Sequence, residues 1–288
     1  MRKKISHPSL LNPMKLTDAR IGKLDQGTIF TCARAERYRN QHVYGLVITA
    51  RCDIDQAKFP VLNYIPVVTL DDWLMVDGLD IIRDRAEKEA LGKIRNFLKA
   101  QSVAESVLIS QTLRELLSTT FADLKKKERE KFEDLIGDYD LASSGFSMDH
   151  AGFFARFESL KSGVIDELIK HKVGGYYFLP SVYPGEARDG YVALLREATF
   201  VPRNLAMLIA EGLEQSWFEK DAALSTTNCL SFSRDDFAMP ISQIPSPEIE
   251  HLLQSFSLMF GRIGLDDPDP ELVSVLRQRI PNRAGVAK

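Results

Sequence analysis

The stretch Val43-Tyr44-Gly45-Leu46-Val47-Ile48-Thr49 carries the strongest fold signal in the chain. It is almost continuously apolar, rich in β-branched residues and too short for a typical helix. A run of this kind is typical of a β-strand that is buried on both faces. We therefore predict a central strand here and look for its partners in the neighbouring sequence.

Two further segments predict strands on either side of this run. Residues 28–32 form the first, and a charged loop or hairpin tip over 34–40 leads from them to the central stretch. Residues 61–68 form the second. Because Pro66 has no amide hydrogen, we expect that strand at a sheet edge, or bulged at this position. Three short strands with turns between them favour a small β-barrel over residues 25–75.

The middle of the chain has the spacing of amphipathic helices. Apolar residues that recur every three or four positions predict helices over 81–98, 103–117 and 149–171. The charge run at 123–131 is interpreted as a solvated helix face because its charges alternate in sign. Residues 79–172 are therefore expected to be largely helical, either as an insertion between two β regions or as a separate domain.

Strand signals return in residues 173–288, which are expected to mix strands and helices. Two aromatic-rich runs at 176–180 and 191–195 predict a hairpin with a long loop. Their aromatic side chains, with Arg188 and Arg196 nearby, also have the composition that stacks on nucleic-acid bases. A hairpin whose aromatic residues face the core is the favoured interpretation.

Shorter elements complete this last region. Short strands are predicted over 230–232 and 238–241. The last long helix is predicted to start with Ser246 as its N-cap and to stop at Gly264, and a short helix over 271–279 follows it. Because strands and helices come in separated blocks, we predict an α+β fold with small antiparallel β-barrel elements, a helical middle and C-terminal helices.

Composition limits the functional classes. Of the 288 residues, 44% are hydrophobic and 27% charged, which is ordinary for a globular protein and argues against a disordered chain. The 37 Lys and Arg residues against 40 Asp and Glu residues argue against nucleic-acid binding by bulk charge. No apolar run approaches the ~18 residues of a transmembrane helix. A signal peptide is not visible either, so we expect a cytoplasmic protein without a membrane partner.

Cysteine and histidine spacing offers no metal or disulfide signature. The three cysteines, Cys32, Cys52 and Cys229, are widely spaced and include no CxxC motif, which fits reduced thiols. The five histidines lack zinc-binding spacings, and the glycine-rich phosphate-binding motifs are missing. We therefore expect no metal and no cofactor. Closely spaced aspartates are the weak alternative for a divalent cation, at Asp53 and Asp55, Asp71 and Asp72, and Asp266, Asp267 and Asp269.

Residues 1–24 form a basic arm. Its cationic side chains face a single carboxylate, Asp18, and they are Arg2, Lys3, Lys4, Lys15, Arg20 and Lys23. A functional arm of this composition contacts phosphates or an acidic partner. A frayed, solvated terminus is the commoner explanation of the same sequence.

The polar segment Arg51-Cys52-Asp53-Ile54-Asp55 is the principal candidate site. It directly follows the central strand, where a barrel rim holds side chains on a rigid support. A functional role as a binding site is therefore assigned to Thr49, Arg51, Cys52, Asp53 and Asp55.

A catalytic role for this segment is the less favoured interpretation. An adjacent arginine lowers the pKa of a thiol, so Cys52 is a candidate nucleophile where a histidine lies near it as the general base. The histidines considered for this role are His42, His150, His171 and His251. A buried structural cysteine beside an aspartate that caps a turn is more common. We therefore assign no catalytic residue.

The strand order over residues 25–73 resembles that of the MazF/PemK family. The resemblance rests on Gly27-Thr28-Ile29-Phe30, on Gly45-Leu46-Val47-Ile48-Thr49 and on Ile65-Pro66-Val67-Val68. In that family an SH3-like barrel acts as a ribonuclease or as a nucleic-acid-binding module, with basic and hydroxyl residues at its rim. Thr49 matches the Ser or Thr that closes the family's second motif, whereas Val43-Tyr44 stands where the family has Arg-Pro.

A second resemblance concerns the segment Thr-Ala-Arg-Cys-Asp-Ile over 49–54 and the tail over 246–264, which are similar to bacterial proteins of unknown function. It implies a bacterial cytoplasmic protein that belongs to a defence or mobile-element system. We therefore expect a non-catalytic interaction protein that binds another protein or nucleic acid. A MazF/PemK-like ribonuclease is the alternative, and a thiol-dependent enzyme using Cys52 is a third hypothesis.

Overall fold

An eight-stranded antiparallel sheet organises the chain. The computed structural model describes residues 15–56, 58–144, 149–185, 189–221, 228–232 and 237–260. In spatial order the main path of the sheet is β1 (Thr17–Asp18), β10 (Pro240–Gln243), β2 (Thr28–Phe30), β3 (Val43–Val47), β4 (Val61–Thr69), β6 (Tyr191–Leu194) and β5 (Tyr176–Leu179). The eighth strand, β7 (Thr199–Pro202), pairs with the first half of β4, and a separate pair joins β8 (Leu213–Glu214) to β9 (Phe237–Ala238).

The central strand lies where the sequence predicts it. All five residues of β3 are buried, and β2 and β4 pair with it on its two sides. A Cβ atom at Gly45 would lie 2.2 Å from the Phe30 ring, so the close approach of these two strands requires glycine. The predicted hairpin of aromatic runs is also confirmed, because β5 and β6 pair along their full length.

The prediction that the Pro66 strand lies at an edge or is bulged is wrong. Strand β4 is central and pairs in continuous register with β3. On its other side it pairs with β7 over Val61–Tyr64 and with β6 over Val67–Thr69, so Pro66 falls between the two partners. A proline, which has no amide hydrogen to donate, is tolerated there because neither β6 nor β7 pairs with this position.

The helical middle is inserted between β4 and β5, and the two β regions form one sheet. One continuous helical stretch comprises α2 (Leu70–Trp73), a π-helical turn (Leu74–Gly78) and α3 (Leu79–Ala100). The hydroxyl of Thr69 accepts a hydrogen bond from the amide of Asp72 at 3.1 Å and so caps its start. The insertion continues with α4 (Val107–Ser110), α5 (Leu113–Ser118), α6 (Lys126–Ser143), α7 (His150–Arg156) and α8 (Glu158–Ile169).

Two of the predicted helices are broken. The helix predicted over 103–117 is α4 and α5, because Thr112 and Glu115 form a capping box that starts a new helix. The helix predicted over 149–171 is α7 and α8, which are separated at Phe157. The apolar residues before and after each break pack into the same buried group. Hydrophobic periodicity therefore continues across the breaks and does not predict them.

The remaining helices are α9 (Arg203–Glu211), α10 (Gln215–Lys220) and α11 (Glu248–Phe260). Helix α11 begins two residues after the predicted N-cap, because the Ser246 hydroxyl donates instead to the Glu250 carboxylate at 2.6 Å. The strand predicted over 230–232 is not formed, although the amide of Ser231 donates to the carbonyl of Cys32 at 3.0 Å. Residues 1–14 of the basic arm, Arg188, the stop at Gly264 and the helix predicted over 271–279 lie outside the described residues.

Three groups of buried side chains hold these elements together. One face of the sheet packs against α3, α7, α8 and α9. The opposite face is covered by α11 through Ile249 and Leu252. A third group contains no strand residue and joins the end of α3 to α5 and α6. We call this part of the chain, residues 94–136, the helical arm. These blocks confirm the α+β class, and no described helix has the length and apolar character needed to cross a membrane.

Candidate functional site

The predicted site segment forms a short helix, α1 (Arg51–Asp55). It begins as soon as the chain leaves the central strand, because the carbonyl of Ala50 accepts hydrogen bonds from the amides of Asp53 and Ile54. None of the five side chains of α1 is buried. The segment therefore presents its polar groups to solvent, as predicted, on a helical turn that fixes their directions.

Thr49 differs from the other predicted residues because it is buried. Its hydroxyl accepts a hydrogen bond from the amide of Asn63 at 2.7 Å and joins the chain after β3 to the beginning of β4. Thr49 therefore holds the backbone beside the site in place, and a partner can contact the exposed side chains next to Thr49 but not Thr49 itself.

Arg51 connects the short helix to α11. Its Nη2 group donates to the Ser246 hydroxyl and to the Glu250 carboxylate, each at 3.2 Å. The hydrogen bond from Ser246 and the charge of Arg51 lower the pKa of Glu250, so this carboxylate is ionised at neutral pH. The Arg51 side chain remains half exposed.

Asp55 lies beside the basic arm. The Lys23 ammonium pairs with Asp55 at 2.8 Å and with Asp25 at 2.7 Å. Hydrogen bonds to Asp25 and then to Asp55 raise the pKa of Lys23, and the bond from Lys23 lowers the pKa of Asp55. Lys23 and Asp55 are therefore both charged at neutral pH.

These residues line one open cleft of about 330 Å³ between β1, α1 and β10. We call it the Arg51 cleft, and its walls are Thr17, Asp18, Arg20, Lys23, Asp25, Arg51, Asp55 and Gln243. In the sequence the basic arm and the Arg51 segment are separate features. The fold brings them together, because β1 pairs with β10 and places residues 17–23 next to α1.

Cys52 and Asp53 lie next to the cleft but do not line it. The Cys52 thiol is exposed and donates to the Asp53 carboxylate at 3.7 Å, a long and weak bond. Three of the four histidines considered as the general base contact tyrosines: His42 lies against Tyr44, and His171 and His251 both lie against Tyr177. The fourth, His150, is the first residue of α7. The interpretation of Cys52 as a buried structural residue is wrong, and this geometry supplies no argument for a histidine-activated thiol.

A buried charge network that was not predicted from the sequence lies away from the Arg51 cleft. Asp77 sits in the π-helical turn before α3 and is 5% exposed. Its carboxylate pairs with Arg37 and accepts a hydrogen bond from the Tyr38 hydroxyl at 2.7 Å. Burial and this bond to Asp77 raise the pKa of Tyr38, so its hydroxyl stays protonated and donates. The network fastens the charged loop between β2 and β3 onto the helical region.

One feature of the sequence does point to this network. Asp77 is the single charged residue within Leu74-Met75-Val76-Asp77-Gly78-Leu79, and a charge in such an apolar run is stable when buried only with a partner. Its partners Arg37 and Tyr38 stand forty and thirty-nine positions earlier, so their identity depended on the fold.

Comparisons with protein-family models, curated proteins and solved structures found no match to this chain. The MazF/PemK resemblance therefore stays a prediction. Within the part of the chain that the structure describes, no three His, Cys, Asp or Glu side chains come together in a group that could hold a metal ion.

Proposed function

We propose that this protein is a non-catalytic interaction protein that binds a charged segment of another protein in the Arg51 cleft. The observation that carries the proposal is the convergence in one cleft of Arg20 and Lys23 from the basic arm with Arg51 and Asp55 from the predicted site. Two independent sequence features thus contribute to a single surface that a partner can reach.

The ionisation of the cleft supports binding over proton transfer. A general acid or base works best with a pKa near the working pH. Here Lys23 has a raised pKa, and Asp55 and Glu250 have lowered pKa values, so all three move away from neutrality. Groups that hold their charge are suited to electrostatic recognition.

The balance of charge favours a protein partner over a nucleic acid. The cleft contains three cationic side chains and three carboxylates: Arg20, Lys23 and Arg51 with Asp18, Asp25 and Asp55. A polyphosphate backbone is bound by an excess of Lys and Arg. A peptide segment that carries charges of both signs complements this surface better, and the exposed guanidinium of Arg20 and the half-exposed one of Arg51 are available to its carboxylates.

Charge reversal at Arg51 tests the proposal. We expect Arg51→Glu to reduce the amount of partner that co-purifies with the tagged full chain from its native host by about tenfold, because attraction becomes repulsion. Arg95→Glu is the matched control: its side chain is 51% exposed against 50% for Arg51, and it also pairs with one glutamate, Glu105. Equal recovery with the two variants would contradict the proposal.

An RNA-cleavage assay distinguishes the ribonuclease alternative from the binding proposal. The purified chain should leave RNA intact, while Arg51→Glu changes partner capture alone. Cleavage of RNA by the wild-type chain, lost in Arg51→Glu and kept in Arg95→Glu, would reject the binding proposal in favour of the ribonuclease.

A further inference from the structure

A second cavity forms where β4 changes partners. Strand β6 ends at Leu194 and β7 begins at Thr199, and both pair with the same side of β4. The connecting residues, including the 3₁₀ turn Leu195–Glu197, leave the sheet opposite Ile65 and Pro66. This detour carries the Glu197 side chain towards the segment that follows β2.

The resulting cavity has a volume of about 430 Å³, which is within the range of ~300–1,000 Å³ typical of small-molecule sites. Its principal side chains are Arg34, Glu36, Tyr64, Glu197, Phe200 and Cys229. The Tyr64 hydroxyl accepts from the amide of Arg34 and donates to its carbonyl, each at 3.3 Å. One wall is therefore fixed to the central sheet.

The two carboxylates of the cavity differ in how their charges are compensated. The Nη1 group of Arg34 donates to the carbonyl of Asn228 at 2.7 Å, and its Nη2 group donates to the Glu36 carboxylate at 3.3 Å. One oxygen of Glu197 accepts the amide of Glu36 at 3.2 Å. Arg39 also pairs with Glu36, so the charge of Glu36 is compensated by two arginines. Within the described residues Glu197 forms no ion pair, so the shortage of positive charge is at Glu197.

The ionisation of Glu197 agrees with this shortage of positive charge. Burial raises the pKa of Glu197 most, and the charges of Asp77 and Glu36 raise it further, against a partial offset from the amide hydrogen bond of Glu36 and from the charge of Arg37. Among the described carboxyl groups whose pKa departs from the ordinary value, Glu197 alone moves upward, whereas Glu36, Asp55, Glu115, Glu158, Glu167 and Glu250 move downward. A bound cation would relieve this unfavourable environment.

The wall beside this carboxylate is aromatic. Phe200 lies on β7, and 50% of it is exposed although it is a large apolar residue. A ring of this kind attracts a cation placed over its face.

We propose that this cavity binds a small organic cation of the alkylammonium or guanidinium class, with its charge on Glu197 and its carbon atoms against Phe200. The cavity shares no residue with the Arg51 cleft, so this binding site is independent of the proposed partner surface.

Calorimetric titration of the full chain tests the proposal, with n-butylammonium chloride and methylguanidinium chloride as probes at constant ionic strength. We expect saturable binding of at least one cation and none of butan-1-ol. Glu197→Gln should weaken cation binding about tenfold or more, since it removes the charge and keeps an oxygen for the amide of Glu36. Glu167→Gln, at a glutamate paired with Arg85 on the surface of α8, is the matched control.

A second variant, at Phe200, tests the same binding site. Phe200→Ala changes a half-exposed side chain and should also weaken binding, which covers the case in which Glu197→Gln does not fold. Undiminished affinity in both variants would overturn the proposal. So would failure of both cations to bind the wild-type chain.

Discussion

Replacement of Asp77 by alanine is expected to lower the free energy of unfolding by about 3 kcal/mol, because it leaves the buried Tyr38 hydroxyl without its acceptor and removes the buried carboxylate that pairs with Arg37. The Tyr38 hydroxyl loses its 2.7 Å bond, and Arg37 loses one of its two carboxylate partners. Arg37 keeps one partner, Asp80, at 2.6 Å. Equilibrium unfolding in urea measures the loss.

Asp80→Ala is the control for this prediction. Asp80 pairs with the same arginine but is 49% exposed, whereas Asp77 is 6% exposed by its side chain. An exposed ion pair contributes only about 0–1 kcal/mol. A loss of stability from Asp80→Ala as large as that from Asp77→Ala would show that burial of the network is not what makes it stabilising.

Phe132→Ala is expected to destabilise the helical arm by about 3–5 kcal/mol, the usual cost of emptying a buried phenylalanine site. The Phe132 ring is fully buried and stacks on Phe97 with centroids 4.8 Å apart. It also meets the edge of Phe121 at 4.9 Å. The truncation therefore removes the centre of a three-ring cluster that joins α3, α6 and the chain between α5 and α6.

Hydrogen–deuterium exchange shows where this loss occurs. Because the arm has its own buried group of side chains, exchange should accelerate within residues 94–136 and remain slow in β3 and β4. Phe260→Ala, at a side chain that is 63% exposed, should leave both regions unchanged. Equal acceleration in the arm and the sheet after Phe132→Ala would contradict the separate packing of the arm.

The strands around the centre of the sheet could be predicted from local sequence. The apolar run at Val43–Val47 and the aromatic runs at Tyr176–Leu179 and Tyr191–Leu194 are unambiguous because both faces of the sheet are covered. The short helix α1 was not predictable in the same way. Five residues that begin at the end of a strand have little helix propensity of their own, so tertiary contacts decide their conformation.

The residues that contact the candidate site could not be predicted from local sequence. Arg51 meets Ser246 and Glu250 nearly two hundred positions later, and Lys23 meets Asp55 at the end of the sheet where β1 pairs with β10. No spacing rule connects residues so far apart. The sequence identified exposed, charged groups near a rigid strand, and the strand pairing determined which of them share a cleft.

The two glutamates of the second cavity illustrate the same limit. Glu36 stands in a loop that looks solvated, and Glu197 follows a buried strand without any recognisable motif. They meet because β6 and β7 share one side of β4 and the chain between them must leave the sheet. A proline at position 66, interpreted as an edge marker, is in fact the local sign of that gap.

Photo-crosslinking from Cys52 tests the central claim most directly, since this exposed thiol adjoins the Arg51 cleft and Cys32 is buried. A benzophenone maleimide would be attached in a Cys229→Ser background, and a Cys52→Ser, Ser110→Cys chain would place the same probe on the helical arm. We expect irradiation in the host extract to give one defined protein adduct from Cys52, lost with Arg51→Glu and missing from Ser110→Cys. Adducts of equal yield from both positions, or no protein adduct from Cys52, would contradict the account.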